Sequence, residues 1–215
     1  MGQVDKSYAK DIYDKIKSDI LGLKIKDGDF LTLAELANKY NVSKTPVRDA
    51  LGALEIEGYL TSLPRKGYLV KPVTNTNIKE CFQMRLIFEK AAVHLVSKTA
   101  TEAELNRILQ LAMNFPDIHK KDNFSDFNSL NDSFHMSIIK ATHNSLFTEM
   151  FKNIMENLSR ILIIDSQHLI YKDEIEEHIS IAKALIDRDS KKAEELIYKH
   201  ISHLENRVYS SQSAI

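Results

Sequence analysis

The sequence predicts a mainly α-helical chain in two parts: a small N-terminal unit that ends in a β-hairpin, and a longer all-helical, antiparallel bundle. Three observations predict it. Two short helices with clear start and stop signals fall between residues 32 and 57, and the hydrophobic period changes from helical to extended between residues 58 and 70. From Ile78 onward there is almost no strand signal, and the only proline is Pro116.

Taken in order, Ile12, Tyr13, Ile16 and Ile20 form one apolar stripe and predict a first helix over residues 8–23. Thr32 followed three residues later by Glu35 reads as a capping box ahead of Leu33, Leu36, Ala37 and Tyr40, and Asn41 ends that brief helix. Ser43 offers a hydroxyl as the cap of the next helix. Pro46 falls in its first turn, where a missing N–H costs nothing, and Val47, Ala50, Leu51 and Leu54 recur at helical spacing. The opposite face carries Lys44, Thr45, Arg48 and Asp49. After Gly58, Tyr59-Leu60-Thr61-Ser62-Leu63 and Tyr68-Leu69-Val70 flank Pro64-Arg65-Lys66-Gly67, a hairpin with two cations at its tip.

This order of elements is that of a winged helix-turn-helix, which commits the N-terminal unit to double-stranded DNA. A helix presenting its positive end, a lysine, a hydroxyl and an arginine is suited to phosphates and base edges together. Arg48 is the expected base reader, because a guanidinium fork matches the two acceptors of guanine. Ser43, Lys44 and Thr45, with Arg65, Lys66 and Gly67 at the wing, complete the expected DNA-binding set.

The stretch from Leu36-Ala37 through Val42-Ser43-Lys44-Thr45-Pro46-Val47-Arg48-Asp49-Ala50-Leu51, then Leu54-Glu55, Glu57-Gly58-Tyr59 and Pro64-Arg65-Lys66-Gly67, resembles the DNA-binding domain of the GntR superfamily of bacterial transcription regulators. Two positions depart from that pattern. Asp27-Gly28 precedes Phe30 where the family usually has Pro-Gly, a turn that Gly28 can still serve. Ala34 stands where many members carry a DNA-contacting arginine, so the operator is expected to differ.

Composition sets limits on the whole. The 215 residues are 43% hydrophobic, enough for one large core or two modest ones. Pro72-Val73-Thr74-Asn75-Thr76-Asn77 breaks periodicity after the wing and favours two. The expected division is a DNA-binding domain at 1–73, a linker at 74–77 and an effector-binding and dimerisation domain at 78–215. Residues 1–75 hold 12 lysines and arginines against 10 acidic residues, and the remainder 17 against 20. With a net charge of −1, DNA affinity must come from local placement of cations. No signal peptide, transmembrane run or low-complexity tract is visible, and Cys81 is the single cysteine. A cytoplasmic location and a small buried thiol are the expectations.

In the second part, helices are predicted over 78–97, 102–114, 123–142, 145–165, 171–187 and 190–209, joined by short connections. Such bundles build ligand and metal sites from inward-facing side chains. Of eight histidines, His94 reads as packed or partly exposed, and His119, His143 and His168 as caps or surface. His135 follows Asn131 at i,i+4, so both cover one patch of a helix. His178 and His200 lie on two further helices. Three imidazoles on three helices can serve a metal or simply pack in the core.

Arg85-x-x-x-Glu89, Asn131-x-x-Phe134-His135, Glu177-His178, Asp189 and His200-x-x-Leu204 resemble the FadR-like branch of the same superfamily, in its FCD ligand-binding domain. The resemblance covers nearly the whole chain. It implies a divalent transition metal, zinc or nickel foremost, bound by Asn131, His135, His178 and His200, with a small organic acid completing the coordination. Asn131 departs from the commoner aspartate, and a neutral amide gives a dication less charge stabilisation. Asp132 is the alternative oxygen donor, rotated about 100° around the helix from Asn131. His203 is either a partner of His200 or surface.

A carboxylate effector also calls for a guanidinium at its other end. Arg85 is one candidate, unless an i,i+4 ion pair with Glu89 is its whole role. Arg160, set among apolar residues, either lines the pocket or pairs across a dimer interface. The functional expectation is a homodimeric repressor on a palindromic operator, its affinity tuned by a metal-bound acid. Two alternatives are a dimeric DNA-binding protein with no metal effector site and a metal-dependent enzyme fused to a DNA-binding domain. No His-Glu-x-x-His pair, nucleophile motif or Gly-rich phosphate loop supports the enzyme. Glu177, the glutamate nearest a metal histidine, is adjacent to His178 in sequence and is expected to point elsewhere.

Overall fold

The computed structural model describes residues 2–114, 124–165 and 171–212. His119, His168 and Pro116 lie outside the described residues. The chain divides into two units, Met1–Asn75 and Thr76–Ile215.

In the first unit, α1 (Gly2–Leu21) begins before the predicted start, and it places Ile12, Ile16 and Ile20 in the core. Against them pack Leu36 and Ala37 of α2 (Leu33–Tyr40) and Val47, Ala50, Leu51 and Leu54 of α3 (Lys44–Ile56). Asn41 closes α2 in the left-handed conformation at φ 53°, a position that short polar side chains tolerate. The Thr32 side chain accepts the Glu35 N–H as a cap should. Glu35 returns its carboxylate to the Thr32 hydroxyl at 2.7 Å, not to the backbone N–H of a full capping box. Ser43 occupies the N-cap of α3 in extended geometry but makes no side-chain cap bond, so that expectation is corrected and its hydroxyl stays exposed.

The hairpin pairs β2 (Leu60–Leu63) with β3 (Gly67–Val70), and a strand absent from the sequence reading, β1 (Phe30–Leu31), joins β3 on its other side. Two residues are too short to display a period, which is why β1 left no pattern. Its presence explains Gly67. The glycine sits at φ 131°, and a Cβ there would run into the Leu31 carbonyl.

The second unit is helical throughout its described residues: α4 (Asn75–Thr99), α5 (Glu102–Met113), α6 (Phe124–Lys140), α7 (Ser145–Asp165), α8 (Tyr171–Ile186) and α9 (Ser190–Gln212). Residues 75–77, read as linker, form the first turn of α4. A reciprocal capping box, Thr101 with Glu104, starts α5. Helix α4 runs antiparallel along α7: the Phe88 and Phe147 rings are 4.6 Å apart, and the Cys81 thiol reaches the Ile154 carbonyl at 3.4 Å. Burial pushes that thiol up to about 11, with Arg85 opposing, so it is the inert small hydrophobe that its setting predicted. Helices α5 and α8, α8 and α9, α6 and α7, and α5 and α6 pack as further pairs. No helix among the described residues is long and apolar enough to cross a membrane.

Candidate DNA-binding face and metal centre

The exposed face of α3 follows from its buried one. With Val47, Ala50, Leu51 and Leu54 turned inward, Ser43, Lys44, Thr45, Arg48 and Asp49 stand together in solvent. Ala34, at the start of α2, is also exposed and offers no charge. At the wing, the Lys66 N–H bonds the Leu63 carbonyl at 3.0 Å, closing a turn with Pro64 second and Arg65 third. Arg65 adopts φ 63°, the positive value that a type II turn requires and that usually selects glycine. A guanidinium therefore takes the tip at some conformational cost, beside exposed Lys66.

In the bundle, amphipathic spacing places polar residues at core positions. On α6, Asn131, Phe134, His135 and Ile138 share the buried face, as do His178, Ile181, Ala182 and Leu185 on α8 and Ile197, His200, Ile201 and Leu204 on α9. These periodicities bring three imidazoles to one point. His135, His178 and His200 are all buried, each offering a ligand atom within 4.8 Å of the others. Phe134 stacks on His178 with ring centroids 4.2 Å apart and walls the cluster.

The tautomers follow from the outer partners. His135 Nδ1 lies 2.7 Å from Glu89 Oε2, and His200 Nδ1 lies 2.9 Å from Glu177 Oε2. Each carboxylate accepts an Nδ1–H, which leaves the lone pair of the ring on Nε2. The Nε2 atoms of His178 and His200 are 3.3 Å apart. Burial holds His135 at about 3, helped by Arg85 and resisted by Glu89, and burial with the neighbouring imidazoles holds His178 well below its usual value. Both rings are therefore neutral at ordinary pH, the form that binds metals. Burial works against an ionised Glu89, yet the facing His135 and Arg85 keep its carboxyl well below the usual range.

Arg85 makes the i,i+4 pair with Glu89 and has a second partner besides, His135. Its Nε donates to Glu89 Oε1 at 2.6 Å, the i,i+4 pair, and its Nη2 lies 2.7 Å from His135 Nε2, so the guanidinium faces the imidazoles. Both charged residues are wholly buried, and Nη1 has no hydrogen-bond partner among the described residues.

The oxygen candidates separate. Asn131 is buried one turn before His135 and hydrogen-bonds Asp132 through its side chain. An amide whose nitrogen serves Asp132 keeps its oxygen for another partner. Asp132 itself accepts the Ser159 hydroxyl at 3.0 Å and is not one of the clustered groups. Burial raises its carboxyl to about 6, against the Ser159 bond. Arg160 is buried on α7, as its apolar setting requires.

Glu177 corrects the sequence reading. It does not point away but bridges α8 to α9, with its second oxygen 2.7 Å from Nδ1 of the exposed His203. His203 is thus at the surface and a partner of the site at once. The contacts pair residues 46 and 23 positions apart, so local spacing could not disclose them. One signal was available: Arg85 and Glu89 both fall on the apolar stripe of α4, where charges need a reason to be buried. The two other described histidines, His94 and His143, are ordinary. His94 pairs with Glu194 at 2.9 Å and His143, exposed at the turn after α6, with Glu104 at 3.2 Å.

An exposed polar face on α3 beside a β-hairpin, followed in the chain by a helical bundle with three clustered buried imidazoles, fits a ligand-responsive DNA-binding transcription regulator. Residues 8–70 match the bacterial regulatory proteins of the gntR family and residues 80–203 match the FCD domain, and the chain belongs to this family of GntR regulators with an FCD domain. Similar curated proteins carry regulatory names, not enzymatic ones. The Nta operon transcriptional regulator of Aminobacter aminovorans is 26% identical over 81% of this chain and 81% of its own. The HTH-type transcriptional repressor RspR of Escherichia coli is 23% identical over 92% of this chain and 87% of its own. Among solved structures, E. coli McbR/YncC superposes with a TM-score of 0.80 at 19% identity, covering 95% of this chain and 98% of that one. The Zn2+-bound FCD domain of TM0439 gives 0.53 at 19% identity, covering 67% of this chain and 99% of that one.

Proposed function

We propose that this chain is a homodimeric, cytoplasmic repressor that grips a palindromic operator with α3 and the wing, and releases it when a small carboxylate binds beside a metal in the FCD bundle. Arg48 would read base edges, while Ser43, Lys44, Thr45, Arg65, Lys66 and the Gly67 backbone would lie along phosphates. His135, His178 and His200, with the Asn131 amide oxygen, would hold a divalent cation, and Arg85 would take the far oxygen of the acid. Arg160 is the second guanidinium candidate. The observation that carries this reading is the cluster of three buried imidazoles, two with Nδ1 fixed by carboxylates, the outer-sphere arrangement typical of metal-binding histidines. Bound there, the cation would supply Lewis-acid attraction for an anionic ligand. The imidazole-rich donor set suits zinc or nickel. The zinc-bound FCD domain of TM0439 makes zinc the first ion to try.

Dimerisation is supported by an apolar face in the second unit. Met84, Ile87 and Leu95 are exposed along one side of α4, beside exposed Leu146 and Met150 of α7. Large apolar side chains left exposed on two neighbouring helices favour an interaction surface, and a two-fold copy of itself is the partner that a palindromic operator demands. Binding of the acid would shift operator affinity by its differential affinity for the two dimer arrangements.

The test is metal analysis of protein purified without an immobilised-metal column, followed by operator binding with and without zinc and a panel of carboxylates. Copurifying metal that is lost in the variant His135→Ala/His178→Ala, together with the effector response, is the expected result. Full response in that variant would overturn the reading.

A further inference from the structure

We propose that Arg85 plugs the metal site through His135 and, once displaced, becomes the second anchor of the acid, so that cation and carboxylate favour each other's binding. The inference rests on the metal reading above and adds a mechanism of control to it.

The starting point is the single lone pair of His135. Its Nδ1–H is committed to Glu89 at 2.7 Å, so the ring can accept only at Nε2. Arg85 Nη2 occupies that acceptor at 2.7 Å, and a guanidinium can only donate. A lone pair taken by an N–H is not available to a cation, and a positive charge beside it opposes a second one. His135 therefore cannot serve as a ligand until Nη2 lets go.

Release need not cost Arg85 its ion pair. The Nε–H bond to Glu89 Oε1 at 2.6 Å would be kept by a small movement of the whole planar guanidinium through its aliphatic torsions. Both Glu89 oxygens are then in use, one by Arg85 and one by His135. Among the described residues Nη1 already has no partner, and after release Nη2 would lack one too, in a side chain with 0% exposure. Two adjacent buried N–H donors call for an acceptor with two oxygens or a shared one, and a carboxylate bridging cation and guanidinium supplies it. Displacing the plug alone leaves buried donors unmet, and binding the acid alone leaves His135 blocked. Each ligand thus removes the obstacle to the other.

Zinc titrations of the metal-stripped full chain, with and without saturating acetate as the probe carboxylate, test this. In the wild type acetate should tighten zinc by about tenfold or more, within the usual span of coupling between sites, and zinc should tighten acetate by the same factor. In Arg85→Met zinc alone should bind about tenfold more tightly than in the wild type, and the acetate effect should fall below about twofold. Equal zinc affinity and equal acetate dependence in the two proteins would overturn the plug while leaving the metal site standing. Zinc that binds the His135→Ala/His178→Ala variant as well as the wild type would remove both. If Arg85→Met fails to fold, Arg85→Met/Glu89→Gln leaves no lone buried charge; because Glu89 also supports His135, that variant is read on its acetate dependence alone, which should again fall below about twofold. Side-chain nitrogen NMR of the wild type gives a separate readout. Zinc should shift the Arg85 Nη signals while the Nε–H bonded to Glu89 persists, and unmoved Nη signals would contradict the plug.

Discussion

Removing Glu177 tests the outer support of the proposed metal centre in isolation from its proposed ligands. In Glu177→Ala the His200 ring loses the acceptor that fixes its Nδ1–H at 2.9 Å, and with it the tautomer that leaves Nε2 toward His178. The ring itself remains in a pocket where it is 1% exposed, so the ligand is present but no longer oriented. Loss of such a partner typically weakens metal binding by about 10- to 100-fold. That is about 1.4 to 2.8 kcal/mol at about 1.4 kcal/mol per factor of ten. His203→Ala is the matched control: it removes the other contact of Glu177, from a side chain 54% exposed, and should change zinc affinity by less than about threefold. The assay is competition for zinc against a chromophoric chelator, with circular dichroism confirming that helix content is unchanged. Zinc affinity in Glu177→Ala within about twofold of the wild type would refute the claim that the Glu177–His200 bond orients a ligand.

Further outcomes are expected elsewhere in the chain. Arg48→Ala should lower discrimination against mismatched operator bases by about 1–3 kcal/mol with helicity and dimerisation unchanged, since the side chain is exposed; retained selectivity in a competition shift assay would remove Arg48 as a base reader. The two wing positions should move stability in opposite directions. Arg65→Gly relieves a positive φ and should stabilise by about 1 kcal/mol while weakening operator binding and flattening its salt dependence, and Gly67→Ala should destabilise by about 1–3 kcal/mol; urea midpoints that move together would contradict the backbone argument. Cys81, with its thiol raised from 9.0 to about 11 by burial, holds about a hundredfold less thiolate than an ordinary cysteine at neutral pH; iodoacetamide should label it far more slowly in the native protein than in urea, and equal rates would show the thiol to be exposed.

The helices of the bundle were legible because each carries a periodic apolar stripe with short connections. Predicted segments such as 102–114 and 145–165 correspond to α5 (Glu102–Met113) and α7 (Ser145–Asp165). The recognition helix was legible through Pro46 and its apolar spacing, although Ser43 caps by position and not by its hydroxyl. What stayed hidden was non-local. Two-residue β1 exists because β3 offers it an edge, and no propensity of Phe30 and Leu31 announces that. The imidazoles could be assigned to helix faces one at a time, but the bonds Glu89–His135 and Glu177–His200 depend on how helices dock. For the same reason Arg85, read as either ion pair or ligand contact, turned out to bond Glu89 and His135 together.

The central claim, that a buried histidine cluster sets the grip on DNA, is tested most directly by fluorescence anisotropy. The labelled duplex is the preferred operator selected from a random pool, titrated with metal-stripped wild type and with His135→Ala/His178→Ala, each with and without zinc plus carboxylates. A shift of operator affinity by zinc and an acid in the wild type, absent from the variant though it binds the same duplex, is the predicted result. Identical isotherms for both proteins under every condition would contradict it.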